Sequence, residues 1–522
     1  MKLYSFFITI LLPTLAWAQS SSLPFTIEIE PVIAGPLPGL HSFAFAQSGS
    51  KWLFVGGRTN GLHGFSTNDN FDVQYANNDI VVIDTATWSY YTSPLTPLPL
   101  SVADPLRSTN MQYGRMGDYL YMVGGFGWDS LTNNYVTFQT VTAIHIDNMI
   151  NAVMTSTSIV PHIRQIADTN FRVCGGEMTC ANGECFIFFG HDFSGRYSDP
   201  PIPTFIQIYT NKIKRFTISD DGINLSIANY SSLEDTNHFH RRDLNVGPVI
   251  FPGGAQGWYA YSGVFRKDVD LPFTWPIRFD AAAGATVDSS FNQLMNNYTC
   301  PMVPLFDSVS ETMYTVFFGG FSLYNYNPSS GQLTLDSLIP FVSDISVLVH
   351  DAAGLWTQVP LQLQMPGLQG GNMKFIPVST IPAYPNEVVR LRELSGRMLA
   401  GYLVGGIVSP VANDPVQTWA NDTVYRVFLT PDQNMLAFSH PLAEGTVDVF
   451  PNPATDRLTV RAHSGGKVFI QVYNAQGKRI LSENHNGRQD AIFNLEGFPA
   501  GIYFVTIHTQ ENSIQRRFTI VK

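Results

Sequence analysis

One pattern constrains this chain more than any other: a run of aromatic and aliphatic residues that ends in glycine, met six times. The copies read "KWLFVGGR" (51–58), "GDYLYMVGGFG" (117–127), "ECFIFFGHD" (184–192), "GWYAYSGVF" (257–265), "MYTVFFGGF" (313–321) and "LAGYLVGGI" (399–407). Such side chains suit a pleated, packed surface, whereas glycine is a poor strand former that marks a sharp bend or a close backbone approach. Each copy follows another apolar strand and a polar turn, as in "HSFAFAQSGSKWLFVGG" (41–57) and "STNMQYGRMGDYLYMVGG" (108–125), and so reads as a hairpin. A variable loop comes next, and then commonly a second hairpin. The clearest is "NNDIVVIDTATWSYYTSP" (77–94), with equivalents in "VTAIHIDNMINAVMT" (141–155), "FIQIYTNKIKRFTIS" (205–219), "DISVLVHDAAGLWTQVP" (344–360) and "NDTVYRVFLTP" (421–431). Four strands per repeat predict a propeller blade, which buries both faces only by stacking radially against its neighbours.

The sixth unit ends near Pro431 with three evident strands, while an orphan strand, "FTIEIEPV" (25–32), precedes the first repeat. The two remnants complete one blade if residues 25–31 pair with 423–430, which closes the ring. Composition agrees with an all-β chain that has a large core and many loops: 44% of the 522 residues are hydrophobic, 14% are charged, and there are 42 Gly and 33 Pro. A net charge of -11 without Lys/Arg clusters excludes a nucleic-acid or anionic-membrane surface.

The opening "MKLYSFFITILLPTLAWAQS" sets Lys2 before a short apolar stretch that ends at Ala16-Trp17-Ala18, the pattern of a secretory leader cleaved before Gln19. Pro13 interrupts a segment already short for a bilayer span, and no later segment is apolar enough to cross, so the expectation is an exported chain with no transmembrane segment after leader removal. Cysteines stand at 174, 180, 185 and 300. Export permits a bridge, and Cys180 and Cys185 flank "ANGE", a hairpin turn across which a local bond is geometrically reasonable. Four cysteines allow three complete pairings, and zinc ligation is disfavoured because no CxxC spacing occurs.

The apolar strand plus double glycine at Gly56-Gly57, Gly124-Gly125, Gly319-Gly320 and Gly405-Gly406, with the downstream Asp and Trp of 84–88 and 351–356, resembles the kelch family of β-propellers. Copies three and four depart from that pattern, reading Gly190-His191 and Gly263-Val264. Long loops stretch the spacing to about 60–85 residues from the family's roughly 50. Six blades is the expectation and seven the alternative, because 270–300 parses poorly. The expected organisation is a leader (1–18), a kelch-like propeller (19–431), a linker (432–445) and a C-terminal domain (446–522).

That last stretch alternates as strands at 447–450, 457–462, 467–473, 478–483, 490–495, 501–508 and 514–521, a small immunoglobulin-like β-sandwich. It is similar to the type A C-terminal sorting domain of the type IX secretion system of Bacteroidota. The similarity lies in Pro451-Asn452-Pro453, "VYNAQGKRI" around Gly477, "PAGIYFVTI" with Gly501 and Tyr503, and the final Lys522. It implies recognition of the folded tail by the type IX machinery at the outer membrane, removal of the tail, and surface attachment or release.

In a propeller the loops leaving second strands and those entering first strands share one face. The exits 58–78, 126–138, 191–204, 321–341 and 407–421 are long, with aromatics such as Trp128, Phe193, Tyr197, Tyr324 and Trp419, and the entering loops carry His41, Arg107, Arg164 and "HFHRRD" (238–243). Arg107, Arg164 and Arg242 are candidate anchors for an anionic or hydroxyl-rich ligand, with His41, Trp128 and His240 beside them. The bland alternative is that these arginines pair with neighbouring strand ends and hold the ring together. His238 and His240 alternate but lack a third metal ligand, so a solvated loop is the expectation; "SDDGINL" (219–225) reads as a plain turn. No local catalytic motif or cofactor cradle stands out. The expected function is an exported module binding a protein or glycan through the loop-rich face. The alternative is a carbohydrate-active enzyme on the same scaffold, similar to the kelch sialic-acid mutarotases or copper radical oxidases.

Overall fold

The left-handed backbone that glycine permits is what every repeat uses where its second strand ends. In a computed structural model the residue pairs at this position have φ of 70° and 86° (Gly56, Gly57), 64° and 90° (Gly124, Gly125), 63° and 87° (Gly319, Gly320), and 66° and 89° (Gly405, Gly406). Copies three and four keep the geometry with Phe189-Gly190 (59°, 85°) and Ser262-Gly263 (47°, 91°), so the pair there lies one residue earlier than the sequence reading placed it. Phe189 is fully buried, its ring 4.9 Å from that of Phe239, and packing compensates the cost of a side chain in this region. The second residue of five pairs donates its N–H across to the next blade: Gly57 to the Ser108 carbonyl (2.8 Å), Gly125 to Val173 (2.9 Å), Gly190 to Arg241 (2.9 Å), Gly320 to Gln369 (3.1 Å) and Gly406 to Leu40 (2.9 Å). The last of these returns from the sixth repeat to the first.

The structure describes residues 23–32, 37–64, 70–197, 204–437, 447–452, 454–462, 467–474, 479–486, 490–508 and 513–521. The expected leader, Pro453, Gly477 and Lys522 lie outside them. Two compact units are present, one spanning Thr26–Pro431 and one that includes Asp432–Lys522.

The first unit is a six-bladed β-propeller. From the channel outward, blade 1 is Ala44–Ser48, Lys51–Val55, Asp79–Asp84 and Ser89–Pro94; blade 2 is Gln112–Met116, Tyr119–Val123, Thr140–His145 and Ile163–Ala167. Blade 3 is Glu177–Ala181, Glu184–Phe188, Lys212–Asp220 and Leu225–Glu234; blade 4 is Asn245–Ile250, Gln256–Tyr261, Ile277–Asp280 and Gly284–Val287. Blade 5 is Met302–Asp307, Thr312–Phe318, Asp344–His350 and Trp356–Gln364, with Val389–Arg390 added in parallel at the inner edge. Blade 6 is Lys374–Pro377, Met398–Val404 and Tyr425–Pro431, completed by the N-terminal strand Phe25–Pro31. The segment 270–300 thus supplies the outer half of blade 4. The core is a ring of interfaces between blades, such as the cluster of Leu53, Val82, Leu120 and Met122 between blades 1 and 2. Each fully buried aliphatic or aromatic side chain there contributes roughly 1.5–3 kcal/mol.

Two second hairpins differ from expectation. In "VTAIHIDNMINAVMT" the strand stops at His145 and a helix, Ile146–Met154, takes over, its Ile146, Met149, Ile150 and Val153 packing on blade 1. That spacing is helical, and strand-forming side chains had masked it. In "FIQIYTNKIKRFTIS" the first five residues, Phe205–Tyr209, pair with His191–Gly195 in a separate hairpin above the ring, and only Lys212–Asp220 enters blade 3. Cys180 and Cys185 stand directly opposite each other in register and are joined by a disulfide; Cys174 and Cys300 are free and buried.

In the second unit, Val447–Phe450, Arg457–Ala462 and Ala491–Asn494 form one sheet; Lys467–Asn474, Arg479–Asn486, Gly501–His508 and Ser513–Ile520 form the other. Alternate residues of both, including Leu458, Val460, Ile470, Val472, Phe493, Val505 and Phe518, meet in a single core, which makes the unit a β-sandwich. Tyr503 is buried and donates its hydroxyl to the Pro499 carbonyl (3.0 Å), while the Asn452 Oδ1 accepts the Thr519 N–H (2.9 Å). Among the described residues no helix is long and apolar enough to cross a membrane.

Candidate functional site

A two-residue step leads into every innermost strand: His41-Ser42, Thr109-Asn110, Cys174-Gly175, Arg242-Asp243, Tyr298-Thr299 and Gly371-Asn372. The first member bridges to the residue that follows its own blade's glycine pair, as His41 does to Arg58, Arg242 to Val264 and Tyr298 to Phe321. The second member is left-handed each time, with φ of 55°, 52°, 65°, 50°, 53° and 56°. Six copies of this step surround the channel, and every copy except Cys174-Gly175 of blade 3 places one or two side chains at its mouth.

The mouth holds a cavity of about 140 Å³. Its charge is centred on Arg242, whose Nε donates to the Tyr209 hydroxyl (3.2 Å) and whose Nη1 donates to the Tyr197 hydroxyl (3.3 Å). Nη1 also lies 3.6 Å from an Asp243 carboxylate oxygen, and the guanidinium sits 5.4 Å from the centre of the Phe265 ring. Burial opposes this charge, but Tyr197, Asp243 and Tyr209 outweigh it and hold the group above its ordinary pKa. Both phenol oxygens accept from the guanidinium.

The opposite wall combines Arg58, His41 and His63. Burial lowers the pKa of Arg58 to about 10, which leaves it charged at neutral pH. Burial, helped by nearby guanidiniums, takes His41 to about 3 and His63 to about 4, so both imidazoles are neutral there. The positive charge of the mouth is therefore carried by Arg58 and Arg242, opposed by Asp243, whose own pKa burial raises. His63 packs beside both Phe71 (4.4 Å) and Tyr197 (5.2 Å), themselves 6.2 Å apart, and the three rings form an aromatic wall. Below the mouth the channel continues as a cavity of about 220 Å³, where Lys374 Nζ lies 4.0 Å from Glu177 Oε1 and 5.3 Å from the Tyr113 ring centre.

The structure brings His41 and Arg242 together, although His41 spends both ring nitrogens on Ser42 Oγ (3.0 Å) and the Gly61 carbonyl (3.1 Å). His240 stands behind the mouth, its ring 3.7 Å from that of Tyr209 and its Nδ1 3.0 Å from Asn211 Oδ1. Arg107 and Trp128 share a separate cavity of about 80 Å³ between blades 1 and 2, where Arg107 Nη1 donates to Asp104 (2.8 Å). Arg164 is not at the channel: it lies on the outermost strand of blade 2 and makes a bidentate bond to Asp220 of blade 3, at 2.8 and 2.6 Å from one guanidinium nitrogen. The loop that enters blade 3 begins only after it, at residue 168, because the helix 146–154 displaces the outer strand of blade 2 to 163–167. His238 bonds to Asp235 (2.7 Å), and among the described residues no three His, Cys, Asp or Glu converge as for a metal. Sequence reasoning passed over Asp243, Arg58, His63, Tyr209 and Phe265. The six-fold lead-in step, read in register with the glycine pairs, is the signal that finds the first two.

Residues 448–521 match the family described as the secretion system C-terminal sorting domain. The chain therefore ends in a type IX sorting domain, which engages that secretion machinery and marks the protein for export to the cell surface or the extracellular medium. An endo-acting ulvan lyase from Formosa agariphila is 26% identical over 178 residues, covering 31% of this chain and 33% of the lyase, so the chain spans about a third of that relative's length. The solved structure of YjhT aligns at a TM-score of 0.41 and 10% identity, over 76% of this chain and 100% of that one. The propeller assignment rests on the strand topology itself.

Proposed function

We propose that this protein is a kelch-type propeller, exported through a cleaved leader and the type IX route, that captures an acidic glycan at its channel mouth. The observation that carries the reading is Arg242: a half-buried guanidinium held by two phenol hydroxyls beside an aromatic wall, opening into a cavity on the loop-rich face. Guanidinium and hydroxyl donors match carboxylate, sulfate and sugar-hydroxyl acceptors, and Phe265, Phe71 and the stacked His63 offer flat apolar surface to a sugar ring. The partial similarity to an enzyme named for ulvan supports a glycan over a protein as ligand.

A glycan array probed with residues 19–440 tests this. Binding concentrated on acidic glycans is the expected result, weakened at least about tenfold by Arg242→Gln and by the Tyr197→Phe/Tyr209→Phe pair. Binding to neutral glycans alone, or to none, overturns it. The same similarity supports the enzymatic alternative, which predicts new reducing ends when acidic polysaccharides are incubated with the protein; their absence leaves a binding module.

A further inference from the structure

Outside the mouth, on the rim of blade 4, lies a second groove of about 650 Å³ bounded by His238, Arg266, Lys267, Phe273, Trp275 and Asn292. Its chemistry is unlike the rest of an acidic chain. Trp275 keeps 37% of its surface exposed, yet its indole N–H donates to Asn292 Oδ1 (3.0 Å), which also accepts the Thr274 hydroxyl (2.9 Å). An exposed indole is thereby anchored through its N–H. His238, held by Asp235, lies 6.2 Å away at an interplanar angle of 33°, a second ring beside the first.

Behind both stands Arg241, the largest fully buried side chain among the described residues. Its Nε donates to the His238 carbonyl (2.7 Å) and its Nη1 to the carbonyls of Trp275 and Ser262 (3.0 Å each), so one guanidinium pins the two walls of the groove. Phe273 lies over it at 4.1 Å. Among the described residues no carboxylate lies within ion-pair distance of Arg241, whose partners are neutral carbonyls. Arg266 and Lys267 add two cations at the lip, beside two carboxylates, Asp268 at 3.2 Å from Arg266 and Asp235 on His238, so that the positive excess is completed by the buried Arg241. Rigid aromatic faces, an amide and a local excess of positive charge select an extended, anionic, ring-bearing ligand.

We propose that this groove is a second carbohydrate site, taking an internal stretch of an anionic polysaccharide whose sugar rings stack on Trp275 and whose carboxylate or sulfate groups meet Arg266 and Lys267. It stands independently of the mouth: the two share the loop 264–275 but no side chain named in either argument.

Affinity electrophoresis of the full chain in gels containing polygalacturonate, dextran sulfate or plain dextran tests it, because a protein of net charge -11 is repelled by both anionic polymers unless a local site captures them. Retardation by at least one charged polymer and not by dextran is expected, and which polymer retards the protein tells carboxylate from sulfate recognition. Trp275→Ala and the pair Arg266→Ala/Lys267→Ala should each weaken it about tenfold with melting temperature unchanged, since these side chains are at least partly exposed. Arg242→Gln should leave that loss measurable. No retardation, equal retardation by dextran, or Trp275→Ala behaving as wild type overturns the proposal; retardation abolished by Arg242→Gln and untouched by Trp275→Ala assigns all binding to the mouth.

Discussion

At the scale of single residues, the arginines separate by what their charges meet. Arg164 is the cation paired with a carboxylate whose side chain is 2% exposed, so Arg164→Ala leaves the Asp220 charge with only the Tyr121 hydroxyl and the Gly222 N–H and should cost about 3 kcal/mol by urea unfolding, with Arg164→Ala/Asp220→Ala less damaging than the sum of the single changes. The glycines divide in the same way. A Cβ on Gly124 would stand 2.0 Å from the Val173 carbonyl at φ +64°, whereas Gly117 at φ +59° has open space around it. Gly117→Ala should therefore cost about 1 kcal/mol, the left-handed penalty alone, and Gly124→Ala several times that in the same unfolding measurement. Asp344 adds a pH dependence: burial raises its pKa to about 6, against bonds from the Tyr326 amide and Gln364. The folded state then holds its proton between pH 4 and 6 where the unfolded state has lost it, so stability falls as pH rises through that window. Asp344→Asn, which keeps an oxygen for the Tyr326 amide, should flatten that decline and raise stability at pH 8 by about 2 kcal/mol. That some of these arginines would hold the ring was legible beforehand, but not which, because a residue's type does not disclose its partner: Arg107, Arg164 and Arg242 are alike in the sequence and meet an Asp in their own helix turn, an Asp of the next blade, and two tyrosines.

At the scale of elements, the alternation of apolar and polar residues made most strands readable, and two misreadings have physical causes. Residues 146–154 carry good strand formers at helical spacing, and the packing of that face against blade 1 decided for the helix. Residues 205–209 are an equally good strand in any sheet, and proximity to 191–195 gave them a partner above the ring. The closing strand was legible because three strands at one end and one at the other leave an unpaired edge at each. Removing residues 23–32 should expose that edge and the inner face of blade 6, and replace a cooperative thermal transition with a broad or aggregating one. The Cys180–Cys185 bridge closes a short loop in blade 3; Cys180→Ser/Cys185→Ser should lower stability by about 2 kcal/mol in denaturant titration, without loss of the fold.

For the whole molecule, the sandwich of residues 447–521 governs destination. A chain truncated before residue 447 should accumulate in the periplasm, and the full chain should do the same in a host that lacks the type IX machinery; surface proteolysis and immunoblotting of the medium check both. The sequence by itself determined the repeat, the all-β class, the ring closure and the sorting tail, because these follow from local periodicity, turn chemistry and one contiguous C-terminal pattern. Only the tertiary structure decided the sites. Arg242 comes from the lead-in to blade 4, Tyr197 and Tyr209 from the hairpin region that follows the second strand of blade 3, and Arg58 and His63 from the loop of blade 1, and no spacing along the chain relates them. Ring closure brings six separate segments to one axis, and the burial it imposes sets which charges persist there: it neutralises His41 and His63 at physiological pH and leaves the guanidiniums to define what the mouth can hold.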